Sequence, residues 1–410
     1  MADLIVNETT NDNPTPRRHA GKTEPDCYLQ RFAVSFGYPV YFTRGALNVE
    51  NPRLVEAIDR LGEGRRHRSA VFIDEGLLGA NPHIAQAAVD YFSAHSGRLD
   101  LVAPPRRVAG GEPAKQGTAV ARSVMQTIAD DHLDRQSVVV AIGGGSMLDA
   151  VGLAASLVHR GVRLVRVPST TLSQCDSGVG VKNGVNDHGM KNFAGTFAPP
   201  FAVLNDVDLL RTLPDAPWFG GVAEAFKVAV IKDAAFLDRL AELAGALRHR
   251  DEAAIEEVVR RAAQLHLEHI RTNGDPFEMG AARPLDFGHW SAHRLEVMSG
   301  YELGHGQAVA VGVALDTCYA AALGHIAESD RDRVLGAMRE TGLPTWSALL
   351  DRRDAGGRLE VLRGIEDFRE HLGGRLNVTL PAPLGRKVEV HEMDAEAIAE
   401  CIGVLRGREG

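Results

Sequence analysis

Cysteine is scarce: Cys27, Cys175, Cys318 and Cys401 are widely spaced and form no CxxC pair. That excludes a disulfide-stapled framework and a zinc ribbon, and it suits a reducing cytosol. Long apolar runs are missing too, since none approaches the roughly 18 residues a membrane span requires. Residues 1–26 are polar and proline-containing, without the apolar core of a secretory leader, and read as a disordered arm on a cytoplasmic protein. Positive charge is also in deficit, with 45 Lys and Arg against 54 Asp and Glu, a net charge of -9. No basic stripe is available to neutralise a phosphate backbone, so nucleic acid is not an expected partner and any phosphate site must be local. Neither repeats nor low-complexity tracts occur. What remains is a 410-residue chain, 44% hydrophobic and 24% charged, of ordinary globular composition and long enough for two domains.

Ser137–Lys191 is the most informative stretch. The run Val138-Val139-Val140-Ala141-Ile142 is short, apolar and β-branched, the pattern of a parallel strand buried on both faces. Gly143, Gly144 and Gly145 follow, then Ser146 as a candidate N-cap and a helical periodicity from Met147 to Val158. A strand, a glycine turn and a helix N-terminus together offer free N–H groups to a pyrophosphate, although such a turn alone is often only a tight turn. Downstream lie Ser169, Thr170, Asp176, Lys182, Asn186, Lys191 and Asn192. Cations for a phosphate and a carboxylate for hydroxyls suit a phosphorylated polyol.

Read in order, Phe32–Phe36 and Val40–Phe42 predict short strands, in the pattern of a hairpin around Gly37–Pro39. A helix over 54–61 and a strand over Ser69–Ile73 follow. Asp74 ends that strand, where it either takes ribose hydroxyls or caps the next helix. Helix 84–93, strand 99–103, the turn Gly110–Pro113 and a helix over 115–130 lead to the glycine turn, and a strand over 163–167 follows it. Alternating strands and helices predict an open, mostly parallel α/β sheet with its ligand crevice beyond the strand C-termini. Leu204–Asp206 closes that region. From Trp218 the periodicity is helical, with one isolated strand at 376–380, which sets domains of 27–213 (α/β, Rossmann-like) and 214–410 (all-α).

Gly220–Lys227 places Glu224 and Lys227 on one face of an apolar helix. His289 and His293, four apart, share another face, and His305 adds a third imidazole. One carboxylate with two or three histidines suits Zn²⁺ or a similar ion, and spacing alone favours His289 with His293. A nucleotide crevice beside one metal points to hydride chemistry on an alcohol.

Several ordered blocks carry a resemblance: GGEPAK at 110–115, GGGSMLD at 143–149, PSTTLSQCDSGVGVKNGVN at 168–186, KNFAGTF at 191–197, GGVAEAFK at 220–227, PLDFGHWSAH at 284–293 and GHG at 304–306. Together they resemble the sugar phosphate cyclases, the group that includes dehydroquinate synthase. The resemblance implies that Asp74, Glu112, Lys115, Gly143, Gly144, Gly145, Asp149, Ser169, Thr170 and Thr212 hold NAD, with Lys191 at the cofactor edge. It implies Glu224, His289 and His305 as ligands of Zn²⁺ or Co²⁺, which overrules the spacing argument and gives His293 a proton-transfer role. Asp176, Lys182, Asn192 and Lys227 would contact substrate hydroxyls and phosphate. Arg160 would reach the phosphate of a neighbouring subunit, hence a homodimer, and His371 would face the phosphate.

Departures from the dehydroquinate synthase pattern are as informative. Its lysine about twenty residues before the first metal histidine falls on Glu268, its arginine on Ala282 with Arg283 shifted by one, and its asparagine on Asp286. Those groups serve a carboxylated substrate; Glu, Ala and Asp in their place would leave a carboxylate without a partner, and the acidic ones would repel it. The run DPFEMGAARPLDFGHWSAH, 275–293, resembles cyclases acting on sedoheptulose 7-phosphate. The expectation is therefore a lyase forming a valiolone-type cyclitol, through transient oxidation by NAD, β-elimination of phosphate, re-reduction and an intramolecular aldol step. Three product stereochemistries remain open: 2-epi-5-epi-valiolone, 2-epi-valiolone and desmethyl-4-deoxygadusol. Dehydroquinate synthesis and a metal-dependent polyol dehydrogenase are the runners-up.

Overall fold

The computed structural model describes residues 30, 32–188, 190–272, 275–277, 284–371 and 374–408. The expected arm therefore lies outside the described residues, as do Ala282 and Arg283. Eleven strands occur among them: β1 Val40–Thr43, β2 His67–Asp74, β3 Leu99–Leu101, β4 Arg106–Val108, β5 Val138–Gly143, β6 Arg163–Pro168, β7 Lys182–Asp187, β8 Met190–Phe197, β9 Ala202–Asp206, β10 Val378–Pro381 and β11 Lys387–Val390. Seven form one sheet in the order β1-β9-β6-β5-β2-β3, with β4 continuing the β3 edge alongside β2. Every pairing in it is parallel.

β5 shows why the run is apolar throughout. Val138, Val140 and Ile142 enter one core with the helices Arg53–Ile58 and Ile84–Ala94, while Val139 and Ala141 enter the other with Ala119–Asp130 and Gly145–Leu157. Successive side chains point to opposite faces, so helices on both faces demand apolar residues at every position. From β2 the chain moves outward to β3, and from β5 it moves the other way to β6. The order reverses between β2 and β5, which puts the ligand crevice of an open α/β sheet at Asp74 and Gly143.

The helical half is organised by the helices Asp215–Lys232, Ala234–Arg248, Glu252–Thr272, His289–Met298, His305–Ala322 and Glu328–Thr341, around a core that includes Phe226, Leu240, Trp290 and Val309. Among the described residues no helix is long and apolar enough to cross a membrane.

Several expectations are corrected. Residues 32–36 are exposed and form no strand, and β1 pairs in parallel with β9, not in a hairpin. The helix expected over 115–130 is two, Gly111–Lys115 and Ala119–Asp130, because Gly117 takes a φ of +64° between them. Gly144, not Ser146, caps the helix after β5. The strand near 376–380 is one arm of an antiparallel hairpin, β10 with β11. As expected, β9 is the last strand of the sheet in chain order, and it lies inside the sheet, with β1 as the edge. A second hairpin, β7 with β8, escaped the reading of 168–192, where glycines and polar groups interrupt the two-residue alternation.

Candidate active site

At the switch point the three glycines are crowded by protein. A Cβ at Gly143 would lie 2.8 Å from Asp74 Cβ, one at Gly144 3.1 Å from Thr170 Cγ2, and one at Gly145 2.6 Å from Ser177 Oγ. Asp74 caps the following helix, accepting from Gly76 N at 2.8 Å and Leu77 N at 3.3 Å, while its other oxygen faces Gly144 N at 3.5 Å. Ser169 is buried and its N–H donates to Gly143 O, and Thr170 is tied to Ser173 by hydroxyl contact at 2.8 Å. Beside the turn, Lys115 Nζ donates to Asp149 Oδ2 and Asn192 Oδ1, both at 2.7 Å. Glu112 Oε2 accepts from Asn186, whose own oxygen accepts from Asn192 N. Thr212 is exposed beyond β9, outside this network.

A second cluster lies in the helical half. Lys227 Nζ is 2.6 Å from Glu224 Oε2 and 3.7 Å from Asp176 Oδ1, and Asp176 Oδ1 is 2.7 Å from His266 Nδ1. Asp176 sits in a single π-turn, Ser173–Ser177, an irregularity common at functional sites. Burial opposes every charge here. Lys227 and the neighbouring imidazoles together outweigh it for Asp176 and Glu224, holding both carboxyls below their usual range, and the two carboxylates keep Lys227 protonated.

Glu224 Oε1 points elsewhere, 3.4 Å from His305 Nε2 and 3.9 Å from His289 Nε2, and it is shielded from solvent without a well-aligned hydrogen bond. The other nitrogen of each ring is engaged. His289 Nδ1 lies 3.1 Å from Phe287 O, and His305 Nδ1 lies 3.2 Å from Glu296 Oε2. Glu296 in turn receives Lys191 Nζ at 2.6 Å. Burial and then Lys227 lower His289, and burial and then the neighbouring imidazoles hold His293 well below the usual range, so both rings are neutral at pH 7. Burial also opposes charge on His305, but the carboxylates of Glu224 and Glu296 outweigh it and raise the ring to about 9. An orphaned, buried carboxylate oxygen facing two imidazole nitrogens, each ring anchored from behind at Nδ1, is a donor set that fits Zn²⁺ or Co²⁺, with His305 giving up its proton when the ion binds.

Donor atoms of Glu224, His289 and His305 all lie within 4.8 Å of one another, and so do those of His293, Glu296 and His305. Among the described residues no such group joins His289 to His293, which corrects the expectation from spacing. Their rings meet edge to face at 5.4 Å and 89°.

What brings Glu224 to His305 is a backbone crossing. Gly220, one turn before Glu224, and Gly306, next to His305, sit where their helices meet, and a Cβ at Gly306 would lie 2.1 Å from Gly220 Cα. No side chain fits on Gly306 at that crossing. Gly306→Ala is expected to destabilise the fold by about 1–3 kcal/mol through overpacking and to weaken Zn²⁺ binding by spreading the ligands. Denaturant unfolding and a chelator competition check this, and wild-type values in both would refute the crossing as the cause.

The remaining expected site residues are placed as follows. Lys191 and Asn192 sit on opposite sides to those expected: Lys191 joins Glu296, while Asn192 joins Lys115. Neighbours on a strand face opposite ways, and the expectation gave each the other's side. Lys182 opens β7 and is exposed, and Asp286 acts electrostatically on Lys227 and His289. Arg160 is exposed at a φ of +64°. His371 ends the helix Arg363–His371, and its side chain lies outside the described residues. Glu268 is exposed and 3.7 Å from Arg271, so it does not enter the site, and His266 is the residue of that helix which meets Asp176.

Sequence reasoning missed Glu296, His266, Arg166 and Asp316. Glu296 was findable, standing three residues after His293 and seven after His289 on the same face. Arg166 and Asp316 were each a lone charge within an apolar run, a pattern that demands buried partners. His266 had no signal.

A parallel sheet with a glycine-lined crevice, followed by a helical half carrying a carboxylate–imidazole centre, defines the dehydroquinate synthase-like class. Residues 106–219 match the family model for the 3-dehydroquinate synthase N-terminal region and residues 221–360 the model for its C-terminal region. The 3-dehydroquinate synthase of Sulfurovum sp. (strain NBC37-1) is 31% identical over 334 residues, 78% of this chain and 88% of that protein. Among solved structures, ValA, the 2-epi-5-epi-valiolone synthase of Streptomyces hygroscopicus subsp. jinggangensis 5008 with NAD⁺ and Zn²⁺ bound, superimposes with a TM-score of 0.81 at 28% identity, covering 93% of this chain and 100% of that one. A 2-deoxy-scyllo-inosose synthase complexed with carbaglucose-6-phosphate, NAD⁺ and Co²⁺ shares the fold at a TM-score of 0.69 and 19% identity, covering 90% of this chain and 96% of that one. The chain belongs to the 3-dehydroquinate synthase family and is one of its sugar phosphate cyclases.

Proposed function

We propose that the protein converts sedoheptulose 7-phosphate to 2-epi-5-epi-valiolone with release of phosphate. NAD would lie in the crevice at Asp74 and Gly143–Gly145, and Zn²⁺ or Co²⁺ would be held by Glu224, His289 and His305. When bound, the dinucleotide supplies a reversible hydride acceptor and the ion a Lewis acid for the oxygen being oxidised.

The chain's own groups do the rest. Lys227, charged and pinned between Glu224 and Asp176, donates to a substrate oxygen and orients it. His293, neutral and half-buried, has an imidazole nitrogen able to take a proton. Lys182 and, across a homodimer, Arg160 bind phosphate. The observation that carries the substrate choice is the end of the site built from Asp176 and Asp286. Among the described residues its neighbouring cationic groups are already engaged, His266 with Asp176 at 2.7 Å and Lys227 with Glu224 at 2.6 Å, so that end offers carboxylate acceptors to hydroxyls. The likeness to the valiolone synthase over the whole of that chain supports the same choice.

A second reading, 3-dehydroquinate synthesis, is favoured by the 31% identity to the Sulfurovum enzyme. To separate them, the protein is incubated with NAD⁺, Zn²⁺ and either sedoheptulose 7-phosphate or the carboxylated seven-carbon substrate of dehydroquinate synthase, following phosphate and NADH together. Phosphate from sedoheptulose 7-phosphate alone, without NADH accumulating, is the expected result, and NMR of the product then gives its stereochemistry. Phosphate from the carboxylated sugar overturns the reading. Net NADH without phosphate would instead mean a polyol dehydrogenase.

A further inference from the structure

His289 opens its helix directly after a tight turn, and the turn is held from the neighbouring helix, His305–Ala322. Gly288 adopts a φ of +78°, a conformation glycine enters without a Cβ penalty. A Cβ there would lie 2.6 Å from Val313 N, and one at Gly312 would lie 2.0 Å from Gly288 O, so the two backbones touch. One turn further along the same helix is Asp316, with no solvent exposure. Its Oδ2 accepts from Gly288 N at 3.0 Å and its Oδ1 from Trp290 Nε1 at 2.8 Å. These two donors come from the residues on either side of His289. Neither Asp316 nor Trp290 has a part in the reaction described above, and a buried carboxylate without a cation is costly to keep.

We propose that Asp316 is the positioning residue for His289: it clamps both flanks of that residue and thereby sets the affinity of the Glu224–His289–His305 centre for a divalent ion. One rigid helix then supplies His305 from its first turn and the clamp for His289 from its interior, so both imidazoles are registered to the same element. The inference rests on the metal reading of that centre, but not on which sugar the enzyme uses.

Asparagine is the diagnostic replacement. It preserves the volume of Asp316 but presents one acceptor and one donor, whereas Gly288 N–H and Trp290 Nε1–H both require acceptors. In Asp316→Asn one of them must face an NH₂ group, and His289 is released from one side.

The test uses the full-length protein stripped of metal, titrated with Zn²⁺ against a chromophoric chelator without sugar. Asp316→Asn is expected to bind Zn²⁺ about 10–100-fold more weakly, the usual effect of losing an outer-shell partner. Trp290→Phe removes the indole donor and is expected to weaken binding severalfold. In the double variant the asparagine oxygen can turn to Gly288 N unopposed, so affinity should recover above that of Asp316→Asn alone, a rescue that general destabilisation would not produce. If Asp316→Asn does not fold, Trp290→Phe alone decides: unchanged affinity overturns the proposal and weakened affinity supports it. Zn²⁺ binding like the unsubstituted protein's in both single variants, or no rescue in the double, overturns the clamp alone. Failure of the unsubstituted protein to bind Zn²⁺ overturns the centre and the clamp with it.

Discussion

Replacing Glu224 with glutamine is expected to lower turnover at least about a hundredfold and to strip the protein of bound Zn²⁺. A Lewis acid at the reacting oxygen is worth several kcal/mol, and each 1.36 kcal/mol is about tenfold in rate. Glutamine keeps the shape of Glu224 but removes the negative charge that both His305 and the ion require of Oε1, 3.4 Å from His305 Nε2. The same change acts on Lys227, which sits 2.6 Å from Oε2 and is itself buried. A fully orphaned buried charge costs about 3–5 kcal/mol, and Asp176 at 3.7 Å remains to offset part of it, so the metal-free variant should lose less than that. Metal content by mass spectrometry, steady-state phosphate release at saturating Zn²⁺ and urea unfolding without metal read the effects separately. A variant that keeps stoichiometric Zn²⁺ and more than a tenth of its turnover would remove Glu224 from the centre.

Legibility in the sequence followed how local each determinant is. The core strands and most helices of the sheet half could be read because periodicity and turn chemistry act over a few residues. β7 and β8 could not, because their pairing brings Gly184 opposite Gly195 and is decided by close backbone approach, not by an alternating pattern. The site divides the same way. Glu224 with Lys227, and His289 with His293, are visible as helix faces, but the choice of His305 over His293 beside His289 depends on the Gly220–Gly306 crossing of helices some 85 residues apart in sequence. Glu268 shows the opposite failure: counting back from His289 reached the right helix and the wrong face, and His266, two residues earlier, is the one that meets Asp176. A two-residue shift turns a helix by about 200°.

Arg166 carries the other large expected effect. It lies in β6, fully buried, without a carboxylate in direct contact among the described residues, and its guanidinium is spread over the segment between Asp176 and Lys182. Nη1 donates to Gly180 O at 2.9 Å and Gly178 O at 3.3 Å, and Nη2 to Lys182 O at 2.9 Å and Asn183 Oδ1 at 2.6 Å. Gly152 makes room for that asparagine, since a Cβ there would meet its Oδ1 at 1.8 Å. Burial lowers the Arg166 pKa, the sign of an expensive charge. The variants should therefore rank against chemical similarity. Lysine keeps the desolvation cost of a cation but has one nitrogen and no planar fork, so at least two acceptors go unpaired; a loss of about 3–5 kcal/mol is expected. Methionine also leaves acceptors unpaired, at about 1–3 kcal/mol each, but it removes the buried charge and recovers several kcal/mol, so its net loss should be smaller. Both release the segment bearing the two proposed substrate contacts, and the KM for sugar phosphate should rise at least about tenfold while the dissociation constant for NAD stays within about twofold. Denaturant unfolding and initial-rate kinetics decide this. Arg166→Lys proving more stable than Arg166→Met would mean that charge, not the fork, holds the segment, and an unchanged KM in both would separate the segment from substrate binding.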